Sequence, residues 1–488
     1  MNITDYLLKS QVDDDSLVLI TQKEEHSYRD LKNATANLVD TFQSLGIHAG
    51  DRIGILGRNS LFWVASYLAT MKIGAIAVPF ATKIPVNEIT DQIEQTGCKA
   101  LCVEKLLYKR YATKLPESLL VIEEGRLNKS HHVLAGTALE FDKNQDAAWM
   151  LTSGTTGKPR IVRITHLNIQ ANTDSIIQYL ELNRHERMMT ILPFYYCFGT
   201  SLLHTHLKVG ASLILGDSIA FPEKILDLME EKACTGFAGV PTTFQIYLRN
   251  STFPKRKLPT LKKIQQAGGK LSTVLIKELI QTRPQTKIYI MYGQTEATAR
   301  LSYLPPELLK TKLNSIGRGI PNVELKVVNK DGNEVKPEEI GEIIARGKNI
   351  SPGYHNNPQA NAEKFTDNAL KTGDMAKVDD EGFIYIVDRK DDFIKSYGNR
   401  VSSQKIEACI LEQDEVMAVA VIGVPDPLRG EAIRAFVVLR PNAAITKQEI
   451  ISHCMKQLAR YMIPRDVIFT SDLPTNQHGK VIKSKLKE

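Results

Sequence analysis

Met150-Leu151-Thr152-Ser153-Gly154-Thr155-Thr156-Gly157-Lys158-Pro159-Arg160 joins two apolar runs, and the rest of the chain takes its meaning from it. Glycine lets backbone N–H groups turn toward a bound anion, while hydroxyls and a lysine add donors and charge. Thr152, Ser153, Gly154, Thr155, Thr156, Gly157 and Lys158 thus have the composition of a phosphate-holding loop. The Walker pattern is excluded: it needs four residues between its glycines and a Ser or Thr after its lysine, where this chain has Pro159. The apolar Ala147-Ala148-Trp149-Met150-Leu151 precedes the loop, and the β-branched Ile161-Val162-Arg163-Ile164-Thr165 follows it. The loop is therefore expected to join two strands, a setting foreign to a GTPase.

Outward from that loop, strand-like and helix-like segments alternate. Strands are predicted over 52–56, 75–79, 211–215, 235–239, 264–267 and 287–292. Apolar spacing near 3.6 predicts helices over 28–45, 62–71, 222–231, 241–248 and 272–280. This rhythm argues for right-handed βαβ units in a mostly parallel sheet. Small and polar residues follow three of the strands: Gly239-Val240-Pro241, Gly268-Gly269-Lys270 and Gly293-Gln294-Thr295-Glu296. Ligand crevices of open α/β sheets lie off the carboxyl ends of the strands, so these turns and the glycine loop are expected to share one site.

From Val323 the texture becomes β-rich, with turns at Asp331-Gly332-Asn333, Gly341, Gly353, Gly373 and Gly382. The charged break Asp388-Arg389-Lys390-Asp391-Asp392 separates two apolar runs and marks a boundary. Beyond it, a helix over 403–412, strands over 416–424 and 432–439 and a helix over 447–458 read as a small α+β domain. The expected fold class is α/β: a large N-terminal domain (1–390) of mostly parallel α/β subdomains plus a β-rich subdomain, with a small mobile α+β C-terminal domain (391–488).

Composition narrows the function classes. With 43% hydrophobic and 24% charged residues in 488 positions, this is an ordinary globular composition too long for one core. The net charge of +7 comes from scattered lysines, which argues against nucleic acid and suits small acidic partners. Six cysteines without metal-ligand spacing point to a reducing compartment and to core packing. Neither a signal peptide nor an apolar run long enough to span a bilayer is visible, so a cytoplasmic location is expected.

Taken in order, these motifs resemble the AMP-forming acyl- and aryl-CoA synthetase, adenylation-domain and firefly-luciferase superfamily of adenylate-forming ligases. The resemblance rests on Gly50-Asp51-Arg52 with Met71-Lys72-Ile73-Gly74-Ala75, the glycine loop and Tyr292-Gly293-Gln294-Thr295-Glu296-Ala297. Thr372-Gly373-Asp374, Asp388-Arg389-Lys390-Asp391-Asp392-Phe393-Ile394-Lys395 and the closing Gly479-Lys480 complete it. It implies ATP, Mg2+ and coenzyme A, or the phosphopantetheine arm of a carrier protein, as co-reactants. It assigns Glu296 to the magnesium ion, Thr295 and Lys158 to phosphate, and Tyr292, with Gly293 and Gly268 nearby, to the adenine side. By the same resemblance Asp374 grips the ribose hydroxyls beside Arg389, and Lys480 reaches the α-phosphate during adenylation. Asp391 falls at the hinge, and Gly398 lines the thiol's path after the small domain rotates. Asp388 in place of a glycine, Lys405 in place of an acidic residue and a missing proline before Tyr461 depart from the family pattern.

The stretch Pro193-Phe194-Tyr195-Tyr196-Cys197-Phe198-Gly199 falls at the family's acid-binding segment, with Tyr196 where many relatives carry histidine. Tyr196, Phe198, Gly199, Phe237, Gly239 and Ala267 are expected to line an apolar pocket with small residues at its floor. No acidic residue stands there to pair a substrate ammonium, which disfavours an α-amino acid and favours a fatty or aromatic carboxylic acid. No carrier domain follows Lys480, so an acidic carrier protein would act in trans. A luciferase-like or catalytically silent nucleotide-binding protein is the rival class.

Overall fold

The computed structural model describes residues 2–9, 12–125, 141–152, 159–217, 219–366, 369–389, 393–426, 429–475 and 481–487. Two α/β sheets dominate. The first runs Leu120–Glu123, Ala100–Val103, Arg52–Leu56, Ile76–Phe80, Asp146–Thr152, Arg160–Thr165 in spatial order. Its last two strands pair antiparallel, Thr152 opposite Arg160, so the glycine loop closes a β-hairpin as its flanking sequence predicts. Residues 153–158 themselves lie outside the described residues.

The second sheet carries parallel strands Lys287–Tyr292, Lys263–Gln266, Gly236–Gly239, Arg187–Thr190, Ser212–Leu215 and Leu17–Ile20, with antiparallel strands at both edges. The predicted strands and helices of this half are found within about two residues of their expected ends. Several strands of this sheet were not foreseen, among them Arg187–Thr190 and the one nearest the amino terminus. Leu17–Ile20 crosses from the amino terminus into this sheet, where Leu19 lies opposite Leu213.

Between the sheets lies a shared layer of helices. Leu61–Lys72 is buried over its whole length apart from Leu61, and so is Cys197–Val209 apart from its last two residues. A helix apolar all round has no solvent face to offer and must be enclosed. One core cluster accordingly joins Ile53, Ala77 and Val162 of the first sheet, Leu68 and Phe198 of the helices, and Leu213, Ala238 and Met291 of the second sheet. The outer faces have cores of their own, one around Phe237, Phe244 and Ile264, the other around Val78, Leu101 and Trp149.

The β-rich region forms an antiparallel sheet from Val323–Val328, Gly341–Gly347, Ala369–Val378 and Ile384–Arg389, with Phe365–Thr366 at an edge. After residues 390–392, which include Asp391 and are not described, a separate sheet begins at Ile394–Ser396. Its long hairpin Val416–Asp426 and Gly430–Leu439 packs with helices Ser403–Ile410 and Lys447–Gln457 over a core of Ile406, Val421, Val437 and Ile450. Arg249 links the two parts: its guanidinium pairs with Glu278 and donates to the Val416 carbonyl at 2.5 Å. No helix among the described residues is long and apolar enough to cross a membrane.

Candidate active site

The three strand ends named from sequence are neighbours in the second sheet, because Gly236–Gly239, Lys263–Gln266 and Lys287–Tyr292 pair in that order. Past Tyr292 the chain makes a tight 3-10 turn, Thr295–Ala297, braced from several sides. The Ser351 amide donates to the Glu296 carbonyl at 2.9 Å, Asn349 Nδ2 to the Arg300 carbonyl at 2.9 Å, and Thr298 Oγ1 to the Asn349 carbonyl at 2.7 Å. Thr298 holds φ at +66°, a conformation that a β-branched residue keeps only where its surroundings over-determine it. Gly293 is obligatory here, since a Cβ would sit 1.9 Å from the Ala299 carbonyl oxygen. Gly293→Ala is expected to cost about 3 kcal/mol or to prevent folding, read as a lowered denaturation midpoint.

The braced turn presents Thr295 and Glu296 in different directions. Thr295 Oγ1 points to the Cys197 thiol at 3.5 Å, at the start of helix Cys197–Val209. Glu296 Oε1 accepts from the Tyr354 hydroxyl at 2.7 Å. Tyr354 is buried and sits beside the exit strand of the glycine loop: it bridges to Val162, and Arg160 lies 5.3 Å from its ring centre. Burial, and then the Glu296 carboxylate, push the Tyr354 phenol above its usual range. The turn and the hairpin of the first sheet therefore meet at one carboxylate. Glu296 Oε2 has no protein partner among the described residues, and a hard, half-exposed carboxylate oxygen of this kind suits Mg2+.

On the other side, the Tyr292 hydroxyl donates to Asp374 Oδ2 at 2.6 Å. Asp374 is buried, and its own amide is held by Thr372 Oγ1 at 3.2 Å. Arg389 pairs in register opposite Asp374 across the β-rich sheet, which brings the two positions together. Tyr196 lies over Gly268: a Cβ there would come within 2.9 Å of its hydroxyl, and Gly268 holds φ at +85°. Phe198, Gly199 and Ala267 flank the same helix start and strand end, Phe198 and Ala267 inside the shared core and Gly199 against the Pro193 carbonyl.

Two other positions are not brought to this face. Strand alternation sends Phe237 to the far side of the sheet, where its ring packs on Phe244, Tyr247 and Phe253. Gly239 shares that parity and abuts Thr243. Gly398 occupies the tip of the small hairpin between Ile394–Ser396 and Asn399–Val401, beside the half-exposed Tyr397. Ser153, Gly154, Thr155, Thr156, Gly157, Lys158, Asp391 and Lys480 lie outside the described residues, though Thr152 closes the hairpin at the loop's edge. Sequence reading missed Tyr354, Asn349 and Ser351. Their nearest signal was the Gly353 turn, which carries no chemistry by itself.

A nucleotide crevice at the carboxyl ends of a parallel sheet, a carboxylate facing a glycine-loop hairpin and a second, smaller lobe define an adenylate-forming ligase, an AMP-forming acid–thiol ligase. The chain belongs to the AMP-binding enzyme family: the family model matches residues 9–355, and the AMP-binding enzyme C-terminal domain matches 405–480. It is 28% identical to a 2-succinylbenzoate–CoA ligase of Bacillus velezensis, over 98% of this chain and 96% of that one. It superposes on an anthranilate CoA ligase solved with anthranoyl-AMP at a TM-score of 0.91, with 26% identity, covering all of this chain and 96% of that chain. An o-succinylbenzoate coenzyme A synthetase from Bacillus subtilis, solved with ATP and magnesium ion, matches at 0.86 and 26%, covering all of this chain and 99% of that chain.

Proposed function

We propose that this chain uses ATP to activate a carboxylic acid and then passes the acyl group to the thiol of coenzyme A. The observation that carries this reading is the convergence of Thr295, Glu296 and the exit strand of the glycine loop, through Tyr354, opposite the Tyr292–Asp374 pair. In the first step a carboxylate oxygen attacks the α-phosphorus in line, the bond to the bridging oxygen breaks, and pyrophosphate leaves. Asp374 accepts from the ribose hydroxyls while Tyr292 holds its carboxylate in place. Thr295 and the glycine loop with Lys158 donate to phosphate oxygens, where charge builds. Glu296 holds Mg2+, which neutralises phosphate charge when bound. In the second step a thiolate attacks the acyl carbon and AMP departs.

The acid is fatty or aromatic, seated against Tyr196, Phe198, Gly199 and Ala267. Lys480 reaches the α-phosphate in the first step and the Gly398 hairpin serves the second. One arrangement cannot present both, so residues 391–488 turn about Asp391 between steps. A carrier protein's phosphopantetheine ends in the same thiol, and the basic surface suits either acceptor.

Acid-dependent exchange of labelled pyrophosphate into ATP tests the first step; no exchange with any acid would overturn the ligase reading. Lys480→Ala is expected to slow exchange about 100-fold while thiolation of supplied acyl-adenylate continues within a few-fold. Equal loss in both steps would count against the turning domain. Product masses with coenzyme A and with a carrier protein then decide the acceptor.

A further inference from the structure

Arg300 is one of the largest fully buried side chains among the described residues, at 1% exposure. It forms none of the ion pairs among those residues, and its Nε and Nη2 have no hydrogen-bond partner. A buried guanidinium without a counter-charge is expensive, and interiors keep such groups when a partner arrives later or when they meet an aromatic face. Phe198 supplies the face: its ring centre lies 3.9 Å from the Arg300 Cζ. That contact covers the plane of the guanidinium, and the Tyr179 hydroxyl takes part of its edge, leaving the Nε and Nη2 donors without a partner.

Where that edge lies matters. Phe198 and the adjoining Cys197 open helix Cys197–Val209, and Arg300 influences the Cys197 thiol together with Thr295 and Glu296. Arg300 also sits beside the Tyr179 hydroxyl, which reaches Met291 Sδ at 3.0 Å on the inner face of the second sheet. On that same face, two residues below Ala267, lies Gln265. Gln265 is fully buried, and neither its Oε1 nor its Nε2 has a partner. Its register neighbour Tyr289 faces the Tyr179 ring at 6.4 Å between centres. Two buried polar side chains with open donors thus lie on the inner side of the acid-binding face, deeper than the residues that would meet the reacting carboxylate.

We propose that Arg300 is a specificity-determining residue and that the acid substrate carries a second carboxylate at its far end, received by the Arg300 edge with Gln265 as a further donor. Phe198 turns aside to admit it. The proposal rests on the ligase reading above and narrows its substrate class: an otherwise apolar acid, aliphatic or aromatic, with an anionic terminus. A methyl-ended acid of the same length would leave both donors unpaired. A site built to hydrogen-bond an absent group rejects the analogue by far more than a methylene-sized misfit does.

The test measures pyrophosphate exchange with three matched sets of acids, aliphatic and aromatic, that differ only in ending as carboxylate, hydroxyl or methyl. The wild-type enzyme is expected to favour the carboxylate end over the methyl end by about 100-fold or more in kcat/KM. Arg300→Met should lose most of that preference and gain on the methyl-ended acid, while Arg300→Lys keeps part of it. Equal or better use of methyl- or hydroxyl-ended acids by the wild type overturns the proposal without touching the ligase reading. Exchange with none of them overturns that reading and this proposal with it. Uniform loss across all acids in Arg300→Met, with the melting temperature lowered, assigns Arg300 a purely structural role and also overturns it. Should the variant fail to fold, the wild-type preference alone decides.

Discussion

Glu296→Gln is expected to lower acid-dependent ATP–pyrophosphate exchange by roughly 100- to 1,000-fold, the size of removing one preorganised group from a charged transition state. The substitution spares the fold. Its amide oxygen still accepts from the Tyr354 hydroxyl, and the Ser351 amide still reaches the main-chain carbonyl of residue 296. What disappears is the negative charge that suits a divalent cation. Tyr354→Phe is the informative contrast. It keeps the charge and releases only the rotamer of the carboxylate, so the loss is bounded at about 10- to 150-fold, the equivalent of the roughly 1.5–3 kcal/mol that a hydrogen bond to a charged group contributes. Thermal melting should barely separate wild type from Glu296→Gln. Retention of more than about a tenth of the exchange rate in Glu296→Gln would remove this residue from the metal-holding role.

Acid should unfold the large lobe well before its carboxylates account for it. Three histidines in the shared helical layer and its border are buried, and burial lowers their pKa: His204 to about 3, His166 and His206 to about 4, from an ordinary 6.5. His204 Nε2 lies 3.1 Å from the Tyr67 hydroxyl, and His206 Nδ1 donates to the Leu202 carbonyl at 2.8 Å. These contacts suit neutral rings. Above pH 6.5 neither state protonates them and the full stability is present. As pH falls below 6.5, the unfolded chain takes up protons that the native rings refuse until about pH 4. Stability then drops by up to about 1.4 kcal/mol per pH unit for each histidine, or about 4 kcal/mol per unit for all three. Urea midpoints measured at pH 7.5 and pH 5.0 should differ strongly, and His204→Gln should remove roughly a third of the slope. Superimposable curves at the two pH values would refute the assignment of these rings as buried and neutral.

Much of this architecture is legible in the chain because local signals agreed with the fold. The strands at 52–56, 236–239 and 287–292 are short β-branched or apolar runs ended by glycine or polar turns, and they formed where expected. The hairpin around the glycine loop followed from Pro159 and the β-branched residues after it. Legibility failed where meaning depends on which face a strand shows. Phe237 and Ala238 are adjacent in sequence, yet only Ala238 faces the shared helical layer, and nothing local distinguishes the two faces of a strand buried on both. Arg300 and Gln265 were silent for the same reason, since an arginine two residues before a strand reads as a surface charge until packing encloses it. Tyr354 became meaningful only when the segment around it crossed to the loop's exit strand, a contact between positions far apart in sequence.

The strand Leu17–Ile20 has a consequence in time. Its parallel partner, Ser212–Leu215, is made only after the whole of the first sheet's chain has left the ribosome. At ordinary elongation rates that is a delay of roughly 10–40 s. Throughout it, an apolar Leu-Val-Leu-Ile segment near the amino terminus has no neighbour on that side, and the first sheet can form around it without it. The earliest strand synthesised thus waits through the making of the whole first sheet before it can close, and the nascent chain carries an open edge for that time.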